Sequence, residues 1–167
     1  ALGPYLATDL ARFTNLVRSS KAAVDAAEEI DLLRSAIELL RGQPFEGVTS
    51  GYEWAFTEGI ITETEAMIAD AAHRLAQLLL AGGDHEAAAW AAQRGLKSVP
   101  GSEPLFRDRM EAAHLAGDPA AVDRIVEELC HYVETLDPFD DLHPETIELW
   151  RRIGRPRATL DRASTDA

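Results

Sequence analysis

The chain has 167 residues, of which 46% are hydrophobic and 27% are charged, so it has the size and composition of one folded globular domain. Its net charge of −13 would repel a phosphate backbone, which argues against direct binding of nucleic acid by this chain. No apolar run approaches the roughly 20 residues that a membrane-spanning helix requires. The opening residues lack the pattern of a signal peptide and do not begin with Met, which suggests a piece of a longer protein. We expect a cytoplasmic location, or a soluble part of a protein that is attached to a membrane only through regions outside this chain.

Apolar residues recur at helical spacing along most of the chain, and no stretch alternates with the period of two that a strand requires. Gly, Pro and Asp at the ends of these stretches mark the helix boundaries. Gly59 is a weak point at which the third helix could kink or begin. The pattern predicts an all-α fold with helices over residues 8–20, 22–41, 53–81, 85–99, 103–116, 119–136 and 144–153.

The loop over residues 43–52 is the clearest break in the helical pattern. We expect Phe45 and Val48 to pack beneath this loop. Trp54 is the best candidate for locking the loop against the third helix, because tryptophan side chains commonly anchor helix packing.

Two pairs of predicted helices are joined by the same turn. Gly83-Asp84 joins one pair, and Gly117-Asp118 joins the next pair 34 residues later. This period and this turn are typical of tetratricopeptide repeats. In such repeats each antiparallel helix pair stacks on the next because one pair cannot bury its apolar faces alone. We therefore predict a tetratricopeptide-like right-handed stack of about three antiparallel helix pairs plus a short C-terminal helix.

The repeat register also predicts where the helices of a pair approach most closely. In the first unit these positions are taken by small residues, since each extra methylene would push the helix axes apart. The second unit has larger residues there, so its helices should stand further apart or tilt differently. The positions are Ala76, Ala88 and Gly95 in the first unit, and Met110, Val122 and Leu129 in the second.

The first helix of each pair should line a groove that holds a protein or peptide partner. Its predicted side chains are polar with a few apolar anchors, as a peptide-binding groove requires. The alternative is a solvated face that neighbouring helices partly cover. The predicted groove residues are Asp70, His73, Gln77 and Leu80 from the first unit and Arg107, Glu111, His114 and Leu115 from the second.

Several segments occur in the order found in one known family. They are TDLARF (8–13), LLRGQPFEGV (39–48), YEWA (52–55), AAHRLAQLLLAGGDHEAA (71–88), VPGSEPLFRDRMEAAHLAGD (99–118) and LHPETIELW (142–150). Together they resemble the bacterial transcriptional activator domain, a tetratricopeptide-like helical domain of regulators of antibiotic biosynthesis. The resemblance implies that residues 1–154 form this domain. Residues 155–167 are polar with little periodicity, and we expect them to be a disordered tail.

The resemblance implies a domain for self-association or partner docking. In the antibiotic-pathway regulators the domain follows a DNA-binding winged helix, and no such segment is present in this chain. Similar domains also end larger membrane-anchored bacterial proteins, some with peptidoglycan-binding LysM modules. The HPET segment (143–146) and the RGQPF loop (41–45) look closer to this second group.

No set of residues in the sequence has the spacing of a catalytic, cofactor or metal site. The five histidines lack an HExxH motif or a cysteine pair, and the single Cys130 is predicted to be an inert buried thiol. Acidic residues between Asp137 and Glu145 lack the ligand order of an EF-hand, so a solvated loop is favoured over a calcium site. Five arginines between Arg151 and Arg162 form the only basic stretch, which is too short to favour binding of nucleic acid.

These observations favour a non-enzymatic module for protein–protein interaction or self-association, within a larger bacterial regulatory or envelope-linked protein. The partner would be a protein or peptide, and a second copy of the chain is one candidate. The alternative is the effector or oligomerisation domain of a transcriptional regulator whose winged helix lies outside this chain. No cofactor is expected in either case.

Overall fold

A computed structural model of the chain describes residues 9–44, 59–134 and 141–154. Within these ranges the chain forms seven α-helices and no strand, so the predicted all-α fold is confirmed. No helix among them is both long and apolar enough to cross a membrane. The helices are α1 (Asp9–Ser20), α2 (Ala26–Glu38), α3 (Ile60–Ala81), α4 (His85–Ser98), α5 (Glu103–Leu115), α6 (Pro119–Tyr132) and α7 (Pro144–Ile153).

The helices pack as successive pairs. Helix α1 packs on α2, α3 on α4 and α5 on α6, while α2 and α4 each contact the first helix of the next pair. Helices α3 and α5 also touch each other, and α7 packs on α5 and α6. The arrangement is the predicted tetratricopeptide-like stack of three pairs with a C-terminal helix.

The two predicted repeat turns have the same backbone hydrogen bonds. The N–H of Asp84 donates to the carbonyl of Leu79 at 2.9 Å, and 34 residues later the N–H of Asp118 donates to the carbonyl of Ala113 at 2.9 Å. The glycine before each aspartate has a left-handed φ, of 79° and 78° respectively. This is the Schellman ending of a helix, for which glycine is favoured because it carries no Cβ.

The aspartate of each turn also starts the next helix. The carboxylate of Asp84 accepts the N–H of Ala87 at 3.0 Å, and that of Asp118 accepts the N–H of Ala121 at 2.9 Å. An N-cap of this kind satisfies one of the free donors of the first helical turn. The 34-residue period therefore holds at the level of individual hydrogen bonds.

The predicted close approach within the first full pair is confirmed. Ala76 and Ala88 are fully buried, and Gly95 is buried on α4. A Cβ added to Gly95 would lie 2.6 Å from the Cβ of Ala72 and 2.8 Å from Cδ1 of Leu105. No side chain larger than hydrogen fits there without a shift of the helices.

The corresponding positions of the second pair are also in the core. Met110, Val122 and Leu129 are fully buried, so larger side chains fill the space between α5 and α6. A wider separation of these two helices stays a prediction.

The start of α2 corrects the predicted range of 22–41. The helix begins at Ala26 because Asp25 caps it, accepting the N–H of Glu28 at 2.9 Å. The carboxylate of Glu28 accepts the N–H of Val24 at 2.8 Å in return. These two side-chain bonds fix the start of the helix four residues later than the apolar pattern predicts, with Glu28 bonding to the residue before the cap rather than to Asp25 as in a capping box.

Gly59 is the predicted weak point at which the third helix could kink or begin, and α3 begins directly after it, since Gly59 has a left-handed φ of 72°. The predicted stretch 53–58 lies outside the described residues. Helix α6 ends at Tyr132 rather than near Leu136, and Glu134 has a φ of 53° that interrupts the helix. Phe45, Val48, Trp54 and the tail 155–167 also lie outside the described residues, so their predicted roles stay predictions.

Candidate functional site

A polar groove of about 380 Å³ lies between α3, α5 and α7. It is formed by the first helices of two successive pairs together with the C-terminal helix. Its lining side chains are His73 and Gln77 from α3, Arg107, Asp108 and Glu111 from α5, and Glu145, Glu148, Leu149 and Arg152 from α7.

A buried carboxylate lies at the centre of this groove. Asp108 is 1% exposed, and its spacing on α5 places it on the same buried stripe as Leu105 and Ala112. A buried charge is costly unless hydrogen bonds compensate it. Both oxygens have such partners, because Oδ2 lies 2.7 Å from Nδ1 of His73 and Oδ1 accepts Nε2 of Gln77 at 2.7 Å.

These two bonds fix the orientation of both partner side chains. An ionised carboxylate only accepts hydrogen bonds, so Nδ1 of His73 carries the proton and the amide nitrogen of Gln77 faces Asp108. Among the described residues, Nε2 of His73 and the amide oxygen and second N–H of Gln77 then have no partner. Since His73 and Gln77 lie one turn apart on α3, they present these free atoms on the same face of the helix.

The same contact changes the titration of the histidine. The hydrogen bond to Asp108 raises the pKa of His73 above its ordinary value, and the charges of Asp108 and Asp70 act in the same direction. Partial burial and the nearby charge of Arg107 oppose the rise. The imidazole side chain is 44% exposed and lines the groove.

A second polar cluster attaches the start of α7 to α5. Nη1 of Arg107 donates to Oγ1 of Thr146 at 3.1 Å, and Nη2 lies 3.0 Å from the carboxylate of Glu145. The hydroxyl of Thr146, which is fully buried, donates to Glu103 at 2.6 Å. Glu103 also accepts the backbone N–H of His143 at 3.0 Å, just before α7 begins. Arg107 therefore holds the groove wall in place as well as lining it.

The other end of the groove is closed by an exposed ion pair. Arg152 of α7 lies 3.5 Å from the carboxylate of Glu111 on α5. Exposed pairs of this kind contribute little to stability and exchange partners easily. Glu148, one turn before Arg152, is exposed and forms no ion pair with another residue in the described ranges.

Residues 8–129 match the family model of the bacterial transcriptional activator domain. The match covers well over half of the chain. The chain belongs to this family. Comparisons with curated proteins and with solved structures gave no significant match. The family is one of regulatory, transcription-activator-related helical domains. Helix α7 lies beyond the matched residues.

The domain brings together half of the residues that the sequence predicted for the groove. His73, Gln77, Arg107 and Glu111 line it. The other four lie outside the lining. Asp70 is exposed on α3, and Leu80 is half-buried against the core. His114 and Leu115 are exposed at the end of α5. Binding by any of the eight residues stays a proposal.

Sequence reasoning missed four polar groove residues, namely Asp108, Glu145, Glu148 and Arg152. For Asp108 a signal was present, because a charged residue at the spacing of an apolar stripe must be buried or must disrupt the helix packing. The α7 residues gave no local signal. Their place in the groove depends on how α7 folds back onto α5, which helical periodicity does not determine.

The remaining candidates for chemistry form no assembled site in the described parts of this activator domain. No group of three or more His, Cys, Asp or Glu side chains there could hold a metal ion. Cys130 is half-buried rather than fully buried. Asp137 and Asp140 of the acidic loop lie outside the described residues.

Proposed function

We propose that this activator domain is a non-enzymatic module for protein–protein interaction or self-association within a larger bacterial regulatory or envelope-linked protein. The observation that carries the proposal is the groove between α3, α5 and α7, whose hydrogen-bonding side chains are held in fixed orientations by a buried carboxylate. Preorganised polar groups lower the entropic cost of binding a partner. The partner would be a protein or peptide, including a second copy of the chain.

Affinity capture with charge-reversed variants tests this proposal. Glu148→Arg changes the groove without removing a described ion pair, whereas changes at His73 or Arg107 would also disturb the attachments of Asp108 and α7. Glu127→Arg on the exposed side of α6 is the matched control. We expect Glu148→Arg, but not Glu127→Arg, to abolish direct binding of a captured partner or to reduce self-association in sedimentation equilibrium. If the wild-type domain stays monomeric and no captured protein binds it directly, the proposal is wrong.

A second candidate function is favoured by the family match. In this case the chain is the effector or oligomerisation domain of a transcriptional regulator whose winged helix lies outside it, and binding in the groove controls that regulator. The full-length coding sequence separates the two functions, because an adjoining winged helix favours the regulator, while membrane spans or LysM modules favour the envelope-linked protein. In either protein the domain would be cytoplasmic or attached to a membrane through other regions.

A further inference from the structure

Two hydrogen-bond acceptors on the α3 side of the groove have no partner among the described residues. Gln77 uses one amide N–H on Asp108, which leaves its carbonyl oxygen and its second N–H to a ligand. His73 uses Nδ1–H on Asp108, so the neutral ring presents the lone pair of Nε2. A ligand that donates hydrogen bonds can therefore use the carbonyl oxygen of Gln77 and, while the ring is neutral, Nε2 of His73.

The α7 side of the groove adds carboxylates with free oxygens. Glu145 is 66% exposed, and its Oε2 lies 3.0 Å from Nη2 of Arg107 and 3.9 Å from Nδ1 of His143, so Oε1 is the oxygen without a described contact. Glu148 lies one turn further along the same face of α7 and forms no described ion pair. We call Gln77, His73, Glu145 and Glu148 the acceptor set.

The charge of the groove points to the same kind of ligand. Its lining has four carboxylates, on Asp108, Glu111, Glu145 and Glu148, against two guanidinium groups, on Arg107 and Arg152. The net charge of the lining is therefore negative whether or not His73 is protonated. The chain as a whole carries −13, which attracts basic partners and repels acidic ones.

Resting on the proposed function, we propose that the groove binds an arginine side chain from an extended segment of a partner protein, and that the acceptor set receives its N–H groups. A guanidinium fits these atoms because it has five N–H donors and no acceptor. Its planar fork can bind a carboxylate with two N–H groups while another reaches a second acceptor, which a lysine ammonium does less well. Arg152 closes the opposite end of the groove through Glu111 and leaves the acceptor set open.

The proposed site has a pH response of its own. Nε2 of His73 accepts a hydrogen bond only while the ring is neutral, and Asp108 and Asp70 favour the charged ring while Arg107 opposes it. Protonation would place a positive charge beside the bound guanidinium. Binding of the arginine segment should therefore weaken as the pH falls through the titration of His73.

Selection from a random peptide library on the immobilised domain tests the proposal. The selection is done at about 150 mM salt, where the Debye length is about 8 Å and diffuse attraction to the acidic surface is largely screened. We expect the bound peptides to be enriched in arginine. In fluorescence anisotropy, replacing that arginine by glutamine should weaken a selected peptide by about tenfold or more, and replacing it by lysine should weaken it less.

Matched variants separate the groove from the general acidic surface. Glu148→Gln alone, and Glu145→Gln/Glu148→Gln together, should weaken the selected peptide. Glu127→Gln/Glu134→Gln removes the same charge from exposed positions on and just after α6 and should leave binding unchanged. An unchanged urea midpoint shows that a variant is folded. Enrichment of acidic or apolar peptides, no enrichment at all, or equal weakening by both double variants would overturn the proposal.

The histidine gives an independent readout. Wild-type binding should weaken from about pH 8 to about pH 5, the range in which histidines titrate. His73→Gln can still donate to Asp108 and presents a carbonyl oxygen that does not titrate in this range, so this step should vanish. His143 lies 3.9 Å from Glu145, so the comparison is made in the His143→Gln background. If His73→Gln leaves the step unchanged there, His73 is not in the acceptor set. The selected peptides could show no preference for arginine while a captured partner still needs Glu148 for binding. That result would contradict the arginine site but not the proposed interaction function.

Discussion

Replacing Asp108 by alanine should destabilise the domain by about 2–3 kcal/mol. The change removes two hydrogen bonds of 2.7 Å to a buried charge, from His73 and Gln77. Bonds of this kind contribute about 1.5–3 kcal/mol each. Part of that loss is regained because the carboxylate no longer has to be buried. A further part is regained because His73 is 44% exposed and can bond to water instead.

Two other substitutions at this position separate the effect of the negative charge from the effect of the side-chain volume. Asp108→Asn can still accept from Gln77, and its amide can donate to Nδ1 of a neutral His73, so the expected loss is only about 1 kcal/mol. Asp108→Leu also removes both hydrogen bonds, but it fills the space beside Leu105 that alanine leaves empty, so it should be less destabilising than alanine. The expected order of stability is therefore wild type, then asparagine, then alanine, with leucine above alanine.

Urea unfolding followed by circular dichroism at neutral pH measures these differences. The slope of the unfolding free energy against urea concentration should be the same for every variant, so that differences in midpoint report differences in stability. If Asp108→Ala unfolds at the same urea concentration as the wild type, the two hydrogen bonds contribute nothing. The buried carboxylate would then not hold α5 against α3.

Three further outcomes follow from the structure. The pKa of His73 is raised in the folded state, so the charged ring adds stability that is greatest below the unfolded value of about 6.5. This added stability, though not the hydrogen bond of the neutral ring, is lost as the pH rises through the folded value. Urea titrations should therefore show a smaller gap between wild type and Asp108→Asn at higher pH. Gly95→Ala should lower stability by roughly 1–2 kcal/mol, because overpacking against Ala72 outweighs the gain of about 1 kcal/mol in helix propensity. The control Gly82→Ala, where a Cβ makes only ordinary contacts, should be neutral or stabilising, and thermal melts of both variants measure the difference. Thr146→Val should cost roughly 2 kcal/mol in urea unfolding by leaving Glu103 and Arg107 without a buried partner. The control Thr14→Val removes only a hydrogen bond to Leu10 in its own helix and should destabilise the domain much less. If both variants lose the same stability, the hydroxyl of Thr146 does not attach α7.

The stack of helix pairs could be predicted from sequence because it depends on local signals that repeat. Gly83-Asp84 and Gly117-Asp118 each end one helix and cap the next through the same hydrogen bonds, so a two-residue pattern fixes both helices of a pair. Gly95 could be placed at a close approach because the register follows from that turn. Apolar periodicity was less reliable at helix ends. Side-chain capping by Asp25 and Glu28 determines where α2 begins, and residues 22–25 continue the helical pattern without joining the helix.

The groove could be predicted only in part because its walls differ in origin. His73, Gln77, Arg107 and Glu111 follow from the repeat register, which assigns a face to every residue of α3 and α5. Leu80, His114 and Leu115 share that face, but they lie one turn further along than α7 reaches. The extent of the groove is therefore set by the length and position of α7, which is a tertiary contact without a sequence period.

The position of α7 also determines what the groove can recognise. The family match ends at residue 129, before α7 begins, and the helix adds the carboxylates of Glu145 and Glu148 to walls that α3 and α5 provide. Without these two carboxylates, the remaining charged lining is balanced, with Arg107 and Arg152 against Asp108 and Glu111. The preference for a basic ligand would then rest on His73 and Gln77 alone, which accept hydrogen bonds but carry no negative charge. Selectivity for charge therefore depends on α7, whereas the orientation of the acceptors depends on the buried Asp108 of α5.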